Sequence, residues 1–378
     1  MRLYLKKTQY IKTVQFQQSK TQGGTFLNSN TKALFFTAFS SFLLSSQIIY
    51  NPLYKSSHRI VSSICLFIVG TVIILLVSSA FEKLWGKKLS CNGFTKAIGI
   101  INALFLSAAA SLYVESFIRD AGQFSKFYIG KANSLFFIII LIIVCCFAAF
   151  KSTGGIIRLC CLCFAGFVIY FAIMFAAFST LGKAIPPDKP IINSPSSQTL
   201  KDAVLSPLYL FSDISVFLFA AISENKTHEK IINRKVSGYS FYFCLFLLII
   251  NCIRAVLMFG GVLASELYSC DLTSLRLISG FGFSEIYLFA TGFACIIKLS
   301  VYFFAASEMI KPQHETLLNS TIRHALPPVA TLIFLFIKNA FMGEAPLFST
   351  ALFGIISVVL LILPIIFMFA SSKVKKTG

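Results

Sequence analysis

Ten apolar stretches, each about long enough to cross a bilayer, restrict the fold of this chain more than any motif does. A hydrocarbon core about 30 Å thick takes roughly 20 apolar residues in a helix. The stretches lie at 33–50, 60–80, 97–118, 134–150, 154–179, 203–223, 239–263, 286–306, 325–341 and 346–371. Charged residues make up 12% of the chain and hydrophobic ones 57%, about half the charge of a typical soluble domain. Lipid must then solvate most of the surface, and backbone in lipid has to satisfy its own hydrogen bonds. The expectation is an all-α polytopic membrane protein with about ten transmembrane helices. A basic tail at 1–32 would precede a single ten-helix domain at 33–371, and a basic tail at 372–378 would follow it.

The net charge of +19 comes from 33 Lys and Arg against 14 Asp and Glu. Such an excess can mark nucleic-acid binding, but its distribution gives a better account. With ten spans and both termini in the cytoplasm, 21 basic residues fall on the inner side and 10 on the outer. Arg254 and Lys298 fall deep inside spans, while Arg158 and Lys338, near span ends, count with the adjoining connections. That bias follows the positive-inside rule and predicts cytoplasmic termini. Arg2, Lys6, Lys7, Lys12 and Lys20 then read as a topology and headgroup anchor in the bilayer, with no nucleic acid as partner. The first 32 residues are polar and basic without an apolar core, so no cleaved signal is expected.

Cys145, Cys146, Cys160, Cys161, Cys163, Cys244, Cys252 and Cys295 lie within apolar runs, where cysteine acts as a small hydrophobe. Cys160, Cys161 and Cys163 lack a second spaced pair and a nearby His, so no metal site is expected. The four His, at 58, 228, 314 and 324, fall in connections or near span ends. No nucleophile–base set is visible. Neither a cofactor nor enzyme activity is expected.

Ten spans divide into five plus five, as in transporters built from inverted repeats. Such folds place the ligand where the first helix of each half is broken, here spans 1 and 6. Span 1 carries Thr37, Ser40, Ser41, Ser45, Ser46 and Gln47 and ends at Asn51-Pro52. Span 6 carries Pro207, Ser212 and Asp213 near its middle. Pro207 weakens the helical ladder, while Ser212 and Asp213 can bond freed backbone groups. Each serine taken alone fits close helix packing. The coincidence of two interrupted spans points to a ligand site lined by Ser40, Ser41, Ser45, Ser212 and Asp213. Between spans 5 and 6, Pro186, Pro187, Pro190 and Pro195 rule out a continuous helix. The connection near 264–284, with Asp271 and Arg276, is moderately apolar and expected to lie against the membrane domain.

A charge inside the bilayer costs about 2.5–3.5 kcal/mol on insertion scales and usually faces the bundle interior. Asp213, Arg254 and Lys298 meet that description, together with Glu115 and Arg119. The last two lie four apart on one helix face, as a structural or a functional pair. For Arg254 a packing anchor on carbonyls stands beside a functional role. Lys298 has only Glu285 as an acidic residue on its own span. Unwound carbonyls of span 1 could hold its amine, and a buried lysine could also exchange a proton.

The stretch Leu267–Ile310 reads LYSCDLTSLRLISGFGFSEIYLFATGFACIIKLSVYFFAASEMI. It resembles the B subunit of spore-germination nutrient receptors, the spore permease family. The matching positions are Arg276 with Ile278, Glu285, and Ile297-Lys298-Leu299-Ser300. Weaker matches cover Ala149–Arg158 and Leu200–Lys235. Span 1 lacks the family's glycines, and Phe283 stands where the family commonly has Arg. The family is similar to permeases of the amino acid–polyamine–organocation superfamily. The resemblance implies a LeuT-like five-plus-five inverted repeat with broken helices 1 and 6, and a small-nutrient site at the midplane for an amino acid. It gives Lys298, Glu285 and Arg276 structural or coupling roles, and the Glu115–Arg119 pair is expected in a structural or coupling role from its place in span 3. It also implies partnership with the A and C subunits of a receptor complex in the spore inner membrane. A proton-coupled amino-acid permease is the alternative reading.

Overall fold

The computed structural model describes residues 31–49, 53, 59–84, 93–128, 141–146, 153–181, 207–208, 210–223, 234–260, 264, 270–277, 283–311, 317–342 and 351–373. The tail up to residue 30, Asn51-Pro52, the proline-rich connection, Ile278 and residues 374–378 lie outside them, as does most of the fourth apolar stretch. Among the described residues all regular structure is helical. The helices are α1 (Thr31–Ile49), α2 (Arg59–Leu84), α3 (Gly93–Tyr128), α4 (Thr153–Leu181) and α5 (Ile214–Ser223). After them come α6 (Arg234–Phe259), α7 (Cys270–Leu277), α8 (Phe283–Met309), α9 (Leu317–Met342) and α10 (Ala351–Lys373).

Six of these helices, α1, α2, α3, α4, α6 and α8, are long and apolar enough to cross a membrane. The chain is thus an all-α, multi-pass membrane protein by length and composition of its helices. α9 and α10 add shorter apolar stretches at Thr321–Ile337 and Ile356–Ser371.

Burial separates the helices into a centre and a rim. The apolar window of α8 is 72% buried, whereas that of α2 is 33% buried. α8 packs against α3, α4, α5, α7 and α9. α2 instead turns Ile60, Ile64, Phe67, Ile68, Val72 and Leu76 outward. Apolar side chains outside and polar ones inside invert the soluble pattern, as a lipid solvent demands. The centre holds Ser46, Asp213, Arg254, Lys298 and Ser300, all buried.

α1 runs helical from Thr31 to Ile49, which corrects the expectation of a break in that span. Its hydroxyls bond back to the preceding turn and leave the ladder intact. Ser45 Oγ donates to the Phe42 carbonyl at 2.6 Å, and Thr37 Oγ1 donates to the Leu34 carbonyl at 2.9 Å. Serine and threonine can do this inside a helix without unwinding it. The break expected near Ser212 and Asp213 is present. Residues 207, 208, 210 and 211 are helical, Ser212 and Asp213 form a turn, and α5 starts at Ile214. α6 ends at Phe259 on Gly260, whose φ of 77° suits a residue without a Cβ.

Candidate functional site

The turn at Ser212–Asp213 is built by the backbone. The Ser212 N–H donates to the Leu208 carbonyl at 3.0 Å, closing the first helical segment. The Asp213 carbonyl accepts the Val216 and Phe217 N–H groups at 3.0 and 3.2 Å, opening α5. Asp213 thus stands at the N-cap of α5, where a negative charge also meets the positive end of the helix dipole. Its carboxylate is left for partners on other helices.

Those partners come from α8 and α3, and α1 joins through Lys298. Lys298 Nζ of α8 donates to Asp213 Oδ2 at 2.5 Å and to Ser46 Oγ of α1 at 2.5 Å. Tyr302 of α8 donates to the same Oδ2 at 3.0 Å, and Tyr113 of α3 at 3.3 Å. The two tyrosine rings meet edge to face at 5.6 Å. The Lys298 ammonium also sits 3.5 Å from the centroid of the Phe42 ring. The Lys298 and Asp213 side chains are 0% and 2% exposed. A lone charge at that depth would be very costly, and the pairing offsets the cost for both groups. Oδ2 is crowded with donors, while Asp213 Oδ1 is buried with no hydrogen-bond partner among the described residues.

Lys298 therefore does not reach carbonyls of α1, as the sequence suggested. α1 has no unwound carbonyls to offer over 31–49, and the amine takes a serine hydroxyl and a carboxylate instead. Glu285 is exposed in the first turn of α8, about 20 Å along the axis from Lys298 at 1.5 Å per residue.

Around α1, residues advance by about 100° each. Phe42 and Ser46 share the face toward Lys298, and Ser45 lies about 60° from Phe42. Ser41 lies about 100° away, and its Oγ is buried without a partner. Ser40 lies about 160° away, on the face toward α6. There its carbonyl accepts the Cys244 thiol at 3.5 Å, and Gln47 Nε2 donates to the Cys244 carbonyl at 2.8 Å. Of the five expected ligand residues, Asp213 and Ser212 are at the break. Ser45 flanks it, and Ser40 belongs to the α1–α6 contact. Ser46, Tyr113 and Tyr302 were not singled out from sequence. Tyr302 carried a signal, since it follows Lys298 by four residues on one helix face. Tyr113 carried none.

Glu115 and Arg119 pair within α3 at 3.0 Å, with Arg119 31% exposed and Glu115 13%. Glu115 is two residues from Tyr113 and so points to about the opposite side of α3 from Asp213. The side chain of Arg276 is outside the described residues.

A second buried ion pair holds α7. Arg254 Nη2 meets Asp271 Oδ1 at 2.5 Å. Asp271 Oδ2 accepts from Tyr170 at 2.8 Å and from Asn251 at 3.3 Å. Arg254 also donates to Asn251 at 2.8 Å and to Ser274 at 2.9 Å. Side chains brought by α6 and α7, an amide, a hydroxyl and an acid, anchor Arg254. A third cluster lies where α8 ends, with Glu308 near Arg323 at 3.4 Å and Lys311 at 3.5 Å. Among the described residues no group of three His, Cys, Asp or Glu could hold a metal.

No protein-family model and no curated protein matches the chain.

Proposed function

We propose that the chain is the membrane subunit of a spore germinant receptor. It binds a small nutrient, an amino acid, at the Asp213 break and passes a conformational shift to the A and C subunits. The site belongs to spans 1, 3, 6 and 8 of a LeuT-like five-plus-five repeat. The protein sits in the spore inner membrane with both termini cytoplasmic. The resemblance over Leu267–Ile310 supplies the family in this reading, and Lys298 lies within the matching element.

One observation carries the ligand site. A buried ion pair faces a helix break, and one carboxylate oxygen of that pair has no partner. A zwitterion complements this pair: its ammonium meets Asp213 Oδ1 and its carboxylate approaches Lys298. Exchange of the internal pair for two external ones keeps the buried charge balanced. It also gives the ligand different contacts in the free and bound states, which a shift of conformation requires.

The second reading, a proton-coupled permease, draws on the same observation. A buried lysine on a carboxylate, with two phenols beside it, is a chain able to store and release a proton. Uptake separates the two readings. Radiolabelled L-alanine and a panel of other amino acids are offered to reconstituted vesicles with and without a pH gradient. Gradient-driven accumulation identifies a permease. Binding without accumulation, with nutrient-triggered germination lost in Asp213→Asn at matched protein level, identifies a receptor. A wild-type dose response in Asp213→Asn defeats both.

A further inference from the structure

The second residue of α5, Ser215, is tied to the last helix through a proline. Pro364 lies inside α10 and has no N–H. The carbonyl it would have bonded, four residues earlier, belongs to Leu360. That carbonyl accepts Ser215 Oγ of α5 at 2.6 Å, with both residues buried. The hydroxyl of Ser215, two residues after Asp213, takes the place of the backbone donor that α10 lacks. One turn further on, Phe219 of α5 meets Phe367 of α10 edge to face at 5.7 Å. Phe367 in turn abuts Gly99 of α3. A Cβ at Gly99 would lie 3.1 Å from the Phe367 ring and would collide with the Met309 carbonyl oxygen at the end of α8.

We propose that Ser215 and Pro364 form a positioning relay: Ser215 fixes the start of α5 on the orphaned Leu360 carbonyl, so a change at Asp213 moves α10. The inference rests on the Asp213 break being the solute site, and it assigns that site its output helix. A rigid, unbroken α10 would hold Leu360 on its own ladder and offer α5 no such acceptor. With Pro364 in place, the α5 hydroxyl is the group that satisfies it. The two contacts at 215–360 and 219–367 follow one face of each helix, so α5 cannot turn about its axis without shifting α10. Sub-ångström changes at a buried site become helix shifts when packed elements have two discrete arrangements.

The test needs no solute, so its failure and the failure of the nutrient reading are distinct. Spin labels go at Leu162 of α4 and Phe369 of α10, which are 67% and 42% exposed. Non-canonical amino acids carry them, because the chain has 11 cysteines. The paired variant Asp213→Asn/Lys298→Met removes both charges together and perturbs the break without leaving a lone ion. Tyr302→Phe is a milder perturbation should that variant not purify. The 162–369 distance is measured in nanodiscs by pulsed electron resonance. The expected result is a shift of about 2 Å on perturbing the break. That shift is lost when Ser215→Ala, or separately Pro364→Ala, is added. A shift that persists in both added variants overturns the relay, as does the absence of any shift in the perturbed protein. Thermal stability is recorded in parallel, since a purely structural role would lower it without uncoupling the distance.

Discussion

Asp213 and Asp271 are both buried carboxylates, each paired with a cation from another helix at 2.5 Å. Their remaining bonds differ. Asp271 uses both oxygens, Oδ1 toward Arg254 and Oδ2 toward Tyr170 and Asn251, and the arginine spreads over Asn251 and Ser274. Asp213 loads every bond onto Oδ2 and leaves Oδ1 without a partner. A buried network with both oxygens satisfied fixes one arrangement, and here it holds the eight-residue α7 against α4 and α6. A half-satisfied one keeps a vacancy at a cost of about 1–3 kcal/mol. That cost persists only where something else exploits it. A buried carboxylate–cation pair is therefore a pin at Asp271 and, in the proposed reading, the ligand site at Asp213.

The largest effect should come from removing one member of a pair. We predict that Lys298→Met alone destabilises the protein by about 3–5 kcal/mol, as stranded buried ions do. Arg254→Met should cost a similar amount. Thermal unfolding in detergent reads both. The comparison breaks open in the double variants. Asp213→Asn/Lys298→Met should recover stability yet give no nutrient response. Arg254→Met/Asp271→Leu should recover both stability and response. A double variant at Asp213 that still responds would make the two clusters equivalent.

Next in size is Lys298→Arg. The guanidinium keeps the charge but spreads it over a planar fork. It has to fit between Ser46, Asp213 and the face of Phe42, all set around a compact ammonium. We predict near-wild-type expression with at least a tenfold loss of response, equivalent to about 1.4 kcal/mol. Full response in Lys298→Arg would show that only the charge matters.

Tyrosine donors come third. A hydrogen bond to a charged group contributes about 1.5–3 kcal/mol. Tyr302→Phe, removing a 3.0 Å bond, should weaken ligand response more than Tyr113→Phe, which removes a 3.3 Å bond. At the other cluster, Tyr170→Phe removes a 2.8 Å bond to Asp271 and should lower the unfolding temperature without moving the dose response. Dose-response curves set beside melting curves for the three variants separate the clusters.

How much of this could be read from the sequence depends on the range of each signal. Apolar runs are local, so the helices and the lipid-facing rim followed from 60–80 or 154–179 directly. The break at Asp213 was also local, since Pro207, Ser212 and Asp213 stand together in an apolar run. Lys298 was visible as a charge in the wrong solvent. Its partner was not, because residues 85 apart share no pattern in one sequence. Arg254 was visible, and its partner hidden, for the same reasons. Its acid lies 17 residues on, in a segment whose short helix α7 carries no strong periodic signal. The expected break in α1 failed because a run of serines has two solutions. It can unwind a helix or bond back to it, and local composition does not distinguish them. The Ser215–Leu360 contact was out of reach, although Pro364 alone announced an orphaned carbonyl.

The smallest effects test which α1 hydroxyls belong to the site. Ser41 Oγ is buried with no partner, so deleting it removes an unsatisfied group. We predict that Ser41→Ala leaves stability unchanged or raises it by a few tenths of a kcal/mol, since an unpaired polar group is costly to bury. Ser45 Oγ already bonds the Phe42 carbonyl, and Ser45→Ala should lower stability by less than about 1 kcal/mol. Ser40→Ala, on the α6 side of α1, should be silent in dose response. Ser46→Ala differs from all three, because its hydroxyl accepts from Lys298 at 2.5 Å. It should shift the dose response and also lower the melting temperature, since a hydrogen bond to a charged group contributes about 1.5–3 kcal/mol. If Ser40→Ala shifts the response and Ser46→Ala does not, the ligand lies on the α6 side of α1, and the pairing of Lys298 with Asp213 is a second structural pin.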